Sequence, residues 1–173
     1  MAVAAAACGE PRRPPPAADS APGALDQKEP VRLVREYVTR DANGERLTTN
    51  PWFLNVVTWE DEPGYDRYTV IRGYTVRPLR ADSSTGRVEV RYDRLGYVQT
   101  TGRTTVAFEA AEGPELRVFT VALTDNGWRI VAPQIDQHVL VEPALRHSPF
   151  SPEDRRLVEE RASLSPSPPP APR

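Results

Sequence analysis

The stretch from Glu115 to Pro133 constrains the fold more than any other because it has the pattern of a β-hairpin. Two runs of β-branched and aromatic residues flank the dipeptide Asn126-Gly127, which readily supplies the positive φ angles of a two-residue type I′ turn. With that loop, Asp125 pairs with Trp128. Period-two alternation then places five large side chains on one face of the hairpin: Phe119, Val121, Leu123, Trp128 and Ile130. We predict that this hairpin forms the centre of a sheet with one buried face.

The prolines indicate where the folded unit begins and ends. The chain has 173 residues and 19 prolines, and the prolines cluster before Val31 and after Ser163. Such segments bury too little apolar surface to offset the loss of chain entropy on folding. We therefore predict a signal-like or disordered leader at 1–25, one α+β domain at 26–147, and a short helix with a disordered proline-rich tail at 148–173.

The charge and the few metal-binding side chains exclude several classes of function. The 22 basic and 24 acidic residues give a net charge of −2, whereas proteins that bind nucleic acid normally carry a basic field for the phosphates. With one cysteine, and with His138 and His147 far from any ligand-spaced carboxylate pair, we predict no metal site. The absence of a phosphate-binding glycine loop in the sequence favours no cofactor.

The only cysteine, Cys8, follows a run of alanines and precedes a glycine. Ala5-Ala6-Ala7-Cys8-Gly9 resembles the end of a bacterial lipoprotein signal peptide, which implies lipidation of Cys8 and a membrane tether. Either the true start lies upstream, or the stretch is an alanine-rich leader. The two alternatives place the domain in the cell envelope or in the cytoplasm.

The sequence pattern along the domain predicts a helix followed by strands. Proline in a first turn and a stripe of apolar residues predict an amphipathic helix over Pro30–Arg40, with Leu33, Val34, Tyr37 and Val38 on its buried side. Alternation predicts strands over 67–79, 88–97 and 104–109, a bulge at Gly73 and a turn at 112–114. A last strand or edge segment is expected within 134–147, and a helix from Ser151 to about Ala162. The fold class is therefore α+β, with the helix packed on a curved, mostly antiparallel sheet of about five strands.

This order of elements, ending in a hairpin with Gly127-Trp128-Arg129-Ile130, resembles the cone-shaped fold of the nuclear-transport-factor-2-like superfamily, which includes ketosteroid isomerase and SnoaL-like cyclases. The resemblance covers roughly 30–133. It implies a sheet wrapped around the first helix and a pocket at the open end of the cone. It also implies a homodimer through the sheet, for which Val118, Thr120 and Val131 are the expected contacts. The superfamily holds enzymes and non-enzymes alike, so the fold alone does not give the function.

Six residues are candidates for catalysis: Tyr68, Tyr74, Tyr92, Asp93, Asp136 and His138. Neighbouring residues of a strand face opposite sides. If Tyr92 lies inside, Asp93 is therefore solvated. His138 and Asp136 would form an acid–base pair if both faced a pocket, although this spacing in a polar terminal segment favours surface residues.

The aromatic residues indicate a second possibility, a concave apolar pocket for a small hydrophobic ligand. Its expected lining is Trp52, Trp59, Tyr68, Tyr92, Tyr97, Phe119 and Trp128, and the alternative is that these residues only form the core. We therefore predict a non-catalytic ligand-binding or accessory domain, most simply a bacterial envelope lipoprotein. The alternative function is a small isomerase, hydrolase or cyclase that uses a tyrosine and a carboxylate in the cone.

Overall fold

The computed structural model describes residues 28–61, 66–101 and 105–164. Within these ranges the main elements are α1 (Lys28–Ala42), β1 (Arg67–Ala81), β2 (Thr85–Thr101), β3 (Thr105–Thr124), β4 (Gly127–Ala132), β5 (His138–Leu140), α2 (Val141–His147) and α3 (Pro152–Ser163). Short 3-10 turns at Glu45–Thr48 and Phe53–Asn55 link α1 to β1. The result is an α+β fold with a curled five-stranded sheet, so the predicted fold class is confirmed. Cys8, the leader and the proline-rich tail lie outside the described residues.

Helix α1 forms where the sequence predicts it and extends slightly beyond both predicted ends. Pro30 lies in its first turn, where a missing N–H removes no helical hydrogen bond. The side chains of Val34, Tyr37 and Val38 are buried against the sheet, as the apolar stripe predicts. The helix ends at Ala42, shortly before Gly44, whose φ of +79° glycine adopts readily.

The sheet has the strand order β4-β3-β2-β1-β5. All pairs are antiparallel except β1 with β5, which is parallel. The prediction that the β3–β4 hairpin forms the centre of the sheet is wrong, because β4 is an edge strand and β2 lies at the centre. The hairpin has the strongest local sequence signal. The centre is nevertheless β2, because this long strand pairs with β1 on one side and with β3 on the other.

The turn predicted at residues 112–114 is also wrong, because β3 runs through it as one strand. Gly113 pairs with Arg94 and has a φ of +133°, and Pro114 pairs with Asp93. Among the described residues β4 pairs with β3 only from Thr120 onward. At Pro114 the edge of β3 away from β2 therefore bonds no strand within the described ranges, and a proline is tolerated there.

The hairpin itself closes on a different loop from the predicted one. Asp125 and Asn126 form the turn, and Leu123 rather than Asp125 pairs with Trp128. The side chain of Thr124 stabilises this turn, since its Oγ1 accepts the Asn126 N–H at 3.2 Å and donates to the Gly127 carbonyl at 2.7 Å. A shift of two positions along one strand keeps the side chains between Val121 and Ile130 on their predicted faces, whereas a register shift beyond them pairs Ala132 with Thr120.

Irregular pairing divides the sheet into two halves that bury opposite faces. Register shifts occur in β1 on both sides of Ile71 and in β2 between Arg94 and Gly96, so the bulge predicted near Gly73 is confirmed. Each extra residue reverses which face the following side chains point to. Tyr92, before the shift in β2, packs in the core beneath α1, whereas Val98, after it, packs in a second core beneath α2 and α3.

The C-terminal helices cover this second core. Ser151 caps α3 by accepting the Asp154 N–H at 3.0 Å, and Val158 is fully buried. Arg72 of β1 donates to the Arg161 carbonyl at 2.9 Å, which fixes the end of α3 on the sheet. No helix in the described part of the chain is long and apolar enough to cross a bilayer.

Candidate functional site

The most polar region of the interior surrounds His138 at the start of β5. Its ring is 1% exposed and both ring nitrogens have partners. Nδ1 lies 2.8 Å from the Asp136 carbonyl oxygen, and Nε2 lies 3.2 Å from Oε1 of Glu115. Glu115 also accepts from Arg117 at 2.6 Å and lies 3.5 Å from Arg94.

The hydrogen bonds between these groups lower the pKa of Glu115. A carbonyl oxygen only accepts, so Nδ1 of His138 donates to it. The hydrogen bond from His138, supported by the charge of Arg117, lowers the pKa of Glu115 to about 2. His138 and Glu115 therefore form a buried hydrogen-bonded pair that joins β5 to β3.

Tyr92 of β2 lies directly against this pair. Its ring stacks on the His138 imidazole, with 4.0 Å between centroids and 23° between planes. Its hydroxyl is buried and has no hydrogen-bond partner among the described residues. Burial, together with the nearby charge of Asp41, raises the pKa of Tyr92 well above its usual value. Asp41 in turn lies 3.4 Å from Arg46 and accepts the His138 backbone N–H at 3.0 Å.

This cluster has the residue types of an acid–base site, but the reacting atoms are sealed. Tyr92 is 0% exposed, and His138 and Asp41 are each 1% exposed, so these groups have almost no contact with solvent. General acid–base catalysis requires a group within hydrogen-bond reach of a substrate. As arranged, the cluster joins β5 to β3 and α1 and leaves no room for a substrate.

The acid–base pair considered for His138 and the Asp136 side chain does not form. Only the backbone carbonyl of Asp136 contacts the ring, and the Asp136 carboxylate instead binds Arg67 at 3.1 Å. The expectation that His138 lies on the surface is wrong. Glu115 is the partner that the sequence reasoning missed. The sequence does contain an indication of this role. Glu115 and Phe119 are four residues apart on β3 and therefore lie on the same, inward-facing side, where a charged residue is unusual.

The seven aromatic residues predicted to line a pocket do not surround one common space. Tyr92 and Phe119 are fully buried in the core beneath α1, and Trp52, Trp59 and Trp128 pack at its margin. Tyr68 belongs to the second core. Tyr97 is partly exposed, with the Arg67 and Arg94 guanidinium groups 4.7 and 5.2 Å from its ring centre. A ligand role for these residues stays a prediction.

An open cleft lies on the other face of the sheet, where β2 and β3 are irregular. Its volume is about 240 Å³, and its lining is Arg72, Arg91, Asp93, Arg94, Glu112, Gly113 and Pro114. We call it the arginine cleft. Asp93 lies on the face opposite Tyr92, as strand alternation predicts. Sequence reasoning missed the cleft because its three arginines come from two strands, β1 and β2, whose pairing is irregular there.

Most of the cleft's charged groups already have partners. Arg72 donates to Asp93 at 2.9 Å, and Arg161 of α3 pairs with Glu112 at 2.8 Å. Arg94 donates from Nε to the Ala111 carbonyl and from Nη1 to the Tyr97 hydroxyl, at 2.8 and 2.6 Å.

Several arginines in and beside the cleft have donors that lack acceptors in the described part of the chain. Arg91 is exposed and has no hydrogen-bond or ion-pair partner in the described part of the chain. The Nε atoms of Arg72 and Arg161 are buried without an acceptor there. Buried donors of this kind cost roughly 1–3 kcal/mol each. The cleft therefore combines concave space with guanidinium groups that are incompletely satisfied.

Within residues 28–61, 66–101 and 105–164, no group of three or more His, Cys, Asp or Glu side chains is placed to hold a metal ion. Comparisons with protein families, with curated proteins and with solved structures find no significant match to this chain. The geometry of the two sites therefore carries the functional argument alone.

Proposed function

We propose that this chain is a non-catalytic domain that binds a small molecule in the arginine cleft. The observation that carries the proposal is the contrast between the two polar regions. The acid–base groups are sealed in the core, while the incompletely paired guanidinium groups line open space. Binding sites are concave and carry a few convergent polar groups, and the cleft has both features.

An enzyme that works in the cone is the second candidate. One observation favours it, since the buried carboxylate Asp41 lies near Tyr92 and contributes to raising the pKa of that tyrosine. Perturbed titratable groups of this kind cluster at active sites. The burial of these groups argues against an enzyme, because a substrate would have to displace packed aromatic rings to reach them. We therefore rank binding above catalysis.

We further propose that the domain belongs to the nuclear-transport-factor-2-like superfamily and is held at the cell envelope through Cys8. The order of elements and the curled sheet over α1 support the first point. The alanine run before Cys8 supports the second. The proposed dimer contacts remain available, because Val131 is 42% exposed and Val118 and Thr120 are half-buried on the same face.

A fragment screen by NMR tests the binding proposal. The full chain, labelled with ¹⁵N, is mixed with small neutral, anionic and cationic compounds, and the backbone amide shifts are recorded. We expect saturable shifts at Arg91, Asp93 and Gly113. Shifts confined to the amides around Tyr92 and His138 would instead favour the cone. If no compound moves the cleft amides, the proposal fails.

The tether is tested separately in a bacterial host. Intact mass and membrane partitioning of the expressed protein are compared with those of Cys8→Ser. A lipid-sized mass increase and membrane association, both lost in the variant, are expected. An unmodified protein that stays in the soluble fraction contradicts the tether and leaves the cleft proposal untouched.

A further inference from the structure

We infer that the ligand of the arginine cleft is a small anion that presents a carboxylate or a phosphate group. The inference rests on the proposed function, since it assumes that the cleft is the binding site. Three observations carry it: the charge balance of the lining, the guanidinium donors without acceptors, and the size of the space.

The lining has an excess of positive charge. Three arginines and two carboxylates line the cleft. Asp93 is neutralised by Arg72, and Glu112 is neutralised from outside the lining by Arg161 of α3. Glu115, at 3.5 Å, offsets part of the charge of Arg94 but already holds His138 and Arg117. No acidic group in the described part of the chain pairs with Arg91.

The unused donors are of the chemical type that binds an oxyanion. Arg91 has its whole guanidinium group unpaired within the described ranges, and Arg94 uses only Nε and Nη1 there, which leaves its Nη2. Guanidinium groups bind carboxylate and phosphate through two parallel N–H···O bonds. A cation would meet the same arginines and find both lining carboxylates occupied.

The size of the cleft limits the ligand to a few heavy atoms. Its volume of about 240 Å³ lies below the roughly 300–1,000 Å³ of sites that hold drug-sized molecules. The open space therefore fits a short dicarboxylate or a phosphate better than a nucleotide or a long acyl chain.

The test is an NMR titration of the full chain at constant ionic strength and pH 7. The probes are succinate and inorganic phosphate, with neutral succinamide and cationic putrescine for comparison. We expect saturable shifts at Arg91 and Gly113 with at least one of the two anions and none with succinamide or putrescine. The stronger of the two anions identifies the source class as carboxylate or phosphate.

Two variants make the test specific. Arg91→Gln removes the unpaired guanidinium and should weaken anion binding about tenfold, as expected for a hydrogen bond to a charged group. Arg87→Gln is the matched control, because Arg87 is exposed on the same face of β2 and lies outside the cleft, and it should leave the affinity unchanged.

The outcomes separate the two proposals. Cleft shifts with succinamide or putrescine but with neither anion overturn the anion inference and leave the binding function standing. Equal weakening by both variants also overturns it, since the anions would then only sense net charge. If no probe moves the cleft amides, the anion inference is overturned, and the fragment screen decides the broader binding proposal.

Discussion

The imidazole of His138 reaches across two strands of the sheet to Glu115, with Nε2 3.2 Å from Oε1. His138 lies on the edge strand β5 and Glu115 on β3, and the strands β1 and β2 lie between them. Tyr92 of β2 lies beneath the imidazole as a stacked ring. The contact therefore spans the curl of the sheet and bonds its two sides together above β2.

Replacing Glu115 tests how much this bond stabilises the domain. Glu115→Gln leaves a buried imidazole without its charged acceptor, and we expect the free energy of unfolding to fall by about 2 kcal/mol. Urea denaturation monitored by tryptophan fluorescence measures the change. Glu89→Gln is the control, since Glu89 pairs with Arg77 at 2.8 Å but the Arg77 side chain is 69% exposed, and such pairs contribute under roughly 1 kcal/mol. Equal losses would contradict a special role for Glu115.

Acid should remove the same contribution. The pKa of Glu115 is lowered from 4.5 to about 2 in the folded chain. Because folding lowers this pKa, the stabilisation is complete above pH 4.5 and is lost as the pH falls toward 2. We expect the midpoint of urea unfolding to drop over this window in the wild type, and to drop less steeply in Glu115→Gln.

A second carboxylate acts in the same direction and needs its own control. The backbone N–H of Ser84 and the hydroxyl and N–H of Thr85 lower the pKa of Asp82 to about 2. Asp82→Asn therefore shows how much of the acid slope comes from the exposed turn. A slope that disappears in Asp82→Asn and persists in Glu115→Gln would contradict the assignment to Glu115.

Removing the side-chain hydroxyl should affect the stability of the domain differently at Tyr92 and at Tyr68. The Tyr92 hydroxyl is buried without a partner in the described part of the chain, so Tyr92→Phe should leave the stability unchanged or raise it by up to about 1 kcal/mol. The Tyr68 hydroxyl lies 2.5 Å from Ser148 Oγ, so Tyr68→Phe should lower it by about 1 kcal/mol. Thermal melting of both variants, side by side, measures the difference. A clear loss in Tyr92→Phe would reveal a hydrogen bond to this hydroxyl and would strengthen the case for the cone as a site.

A side chain at Gly127 should destabilise the hairpin turn. The φ of Gly127 is +88°, and an added Cβ meets only Arg129 Nη1, at 3.9 Å, so backbone strain alone sets the cost of Gly127→Ala. We expect a loss of about 1 kcal/mol. Gly73→Ala is the comparison, because Gly73 lies in β1 with open space around the added Cβ, and alanine there should be neutral or slightly stabilising. Urea denaturation of both variants measures the change in the free energy of unfolding. Equal losses in Gly127→Ala and Gly73→Ala would contradict backbone strain as the cause.

Local patterns predict α1, the alternating strands and the bulge near Gly73, because each depends on residues close in sequence. They fail where the outcome depends on distant partners. Pro114 is typical of a turn, but it is tolerated within β3 because no strand of the described residues pairs with that edge. Likewise His138 reads as a surface residue until Glu115, brought near by the curl of the sheet, provides its acceptor. The arginine cleft depends on how β1, β2 and β3 pair with one another, and the sequence of a single strand does not specify that register.

The reversal of the buried face partway along β2 bears on how the domain loses its structure. Tyr92 and Val98 belong to different cores but to one continuous strand. Opening either core to solvent therefore strains the hydrogen-bond ladder that the other core depends on. Cooperative units in proteins follow such shared elements, so the amides of β2 should exchange with solvent together, and denaturation should follow a single sigmoid.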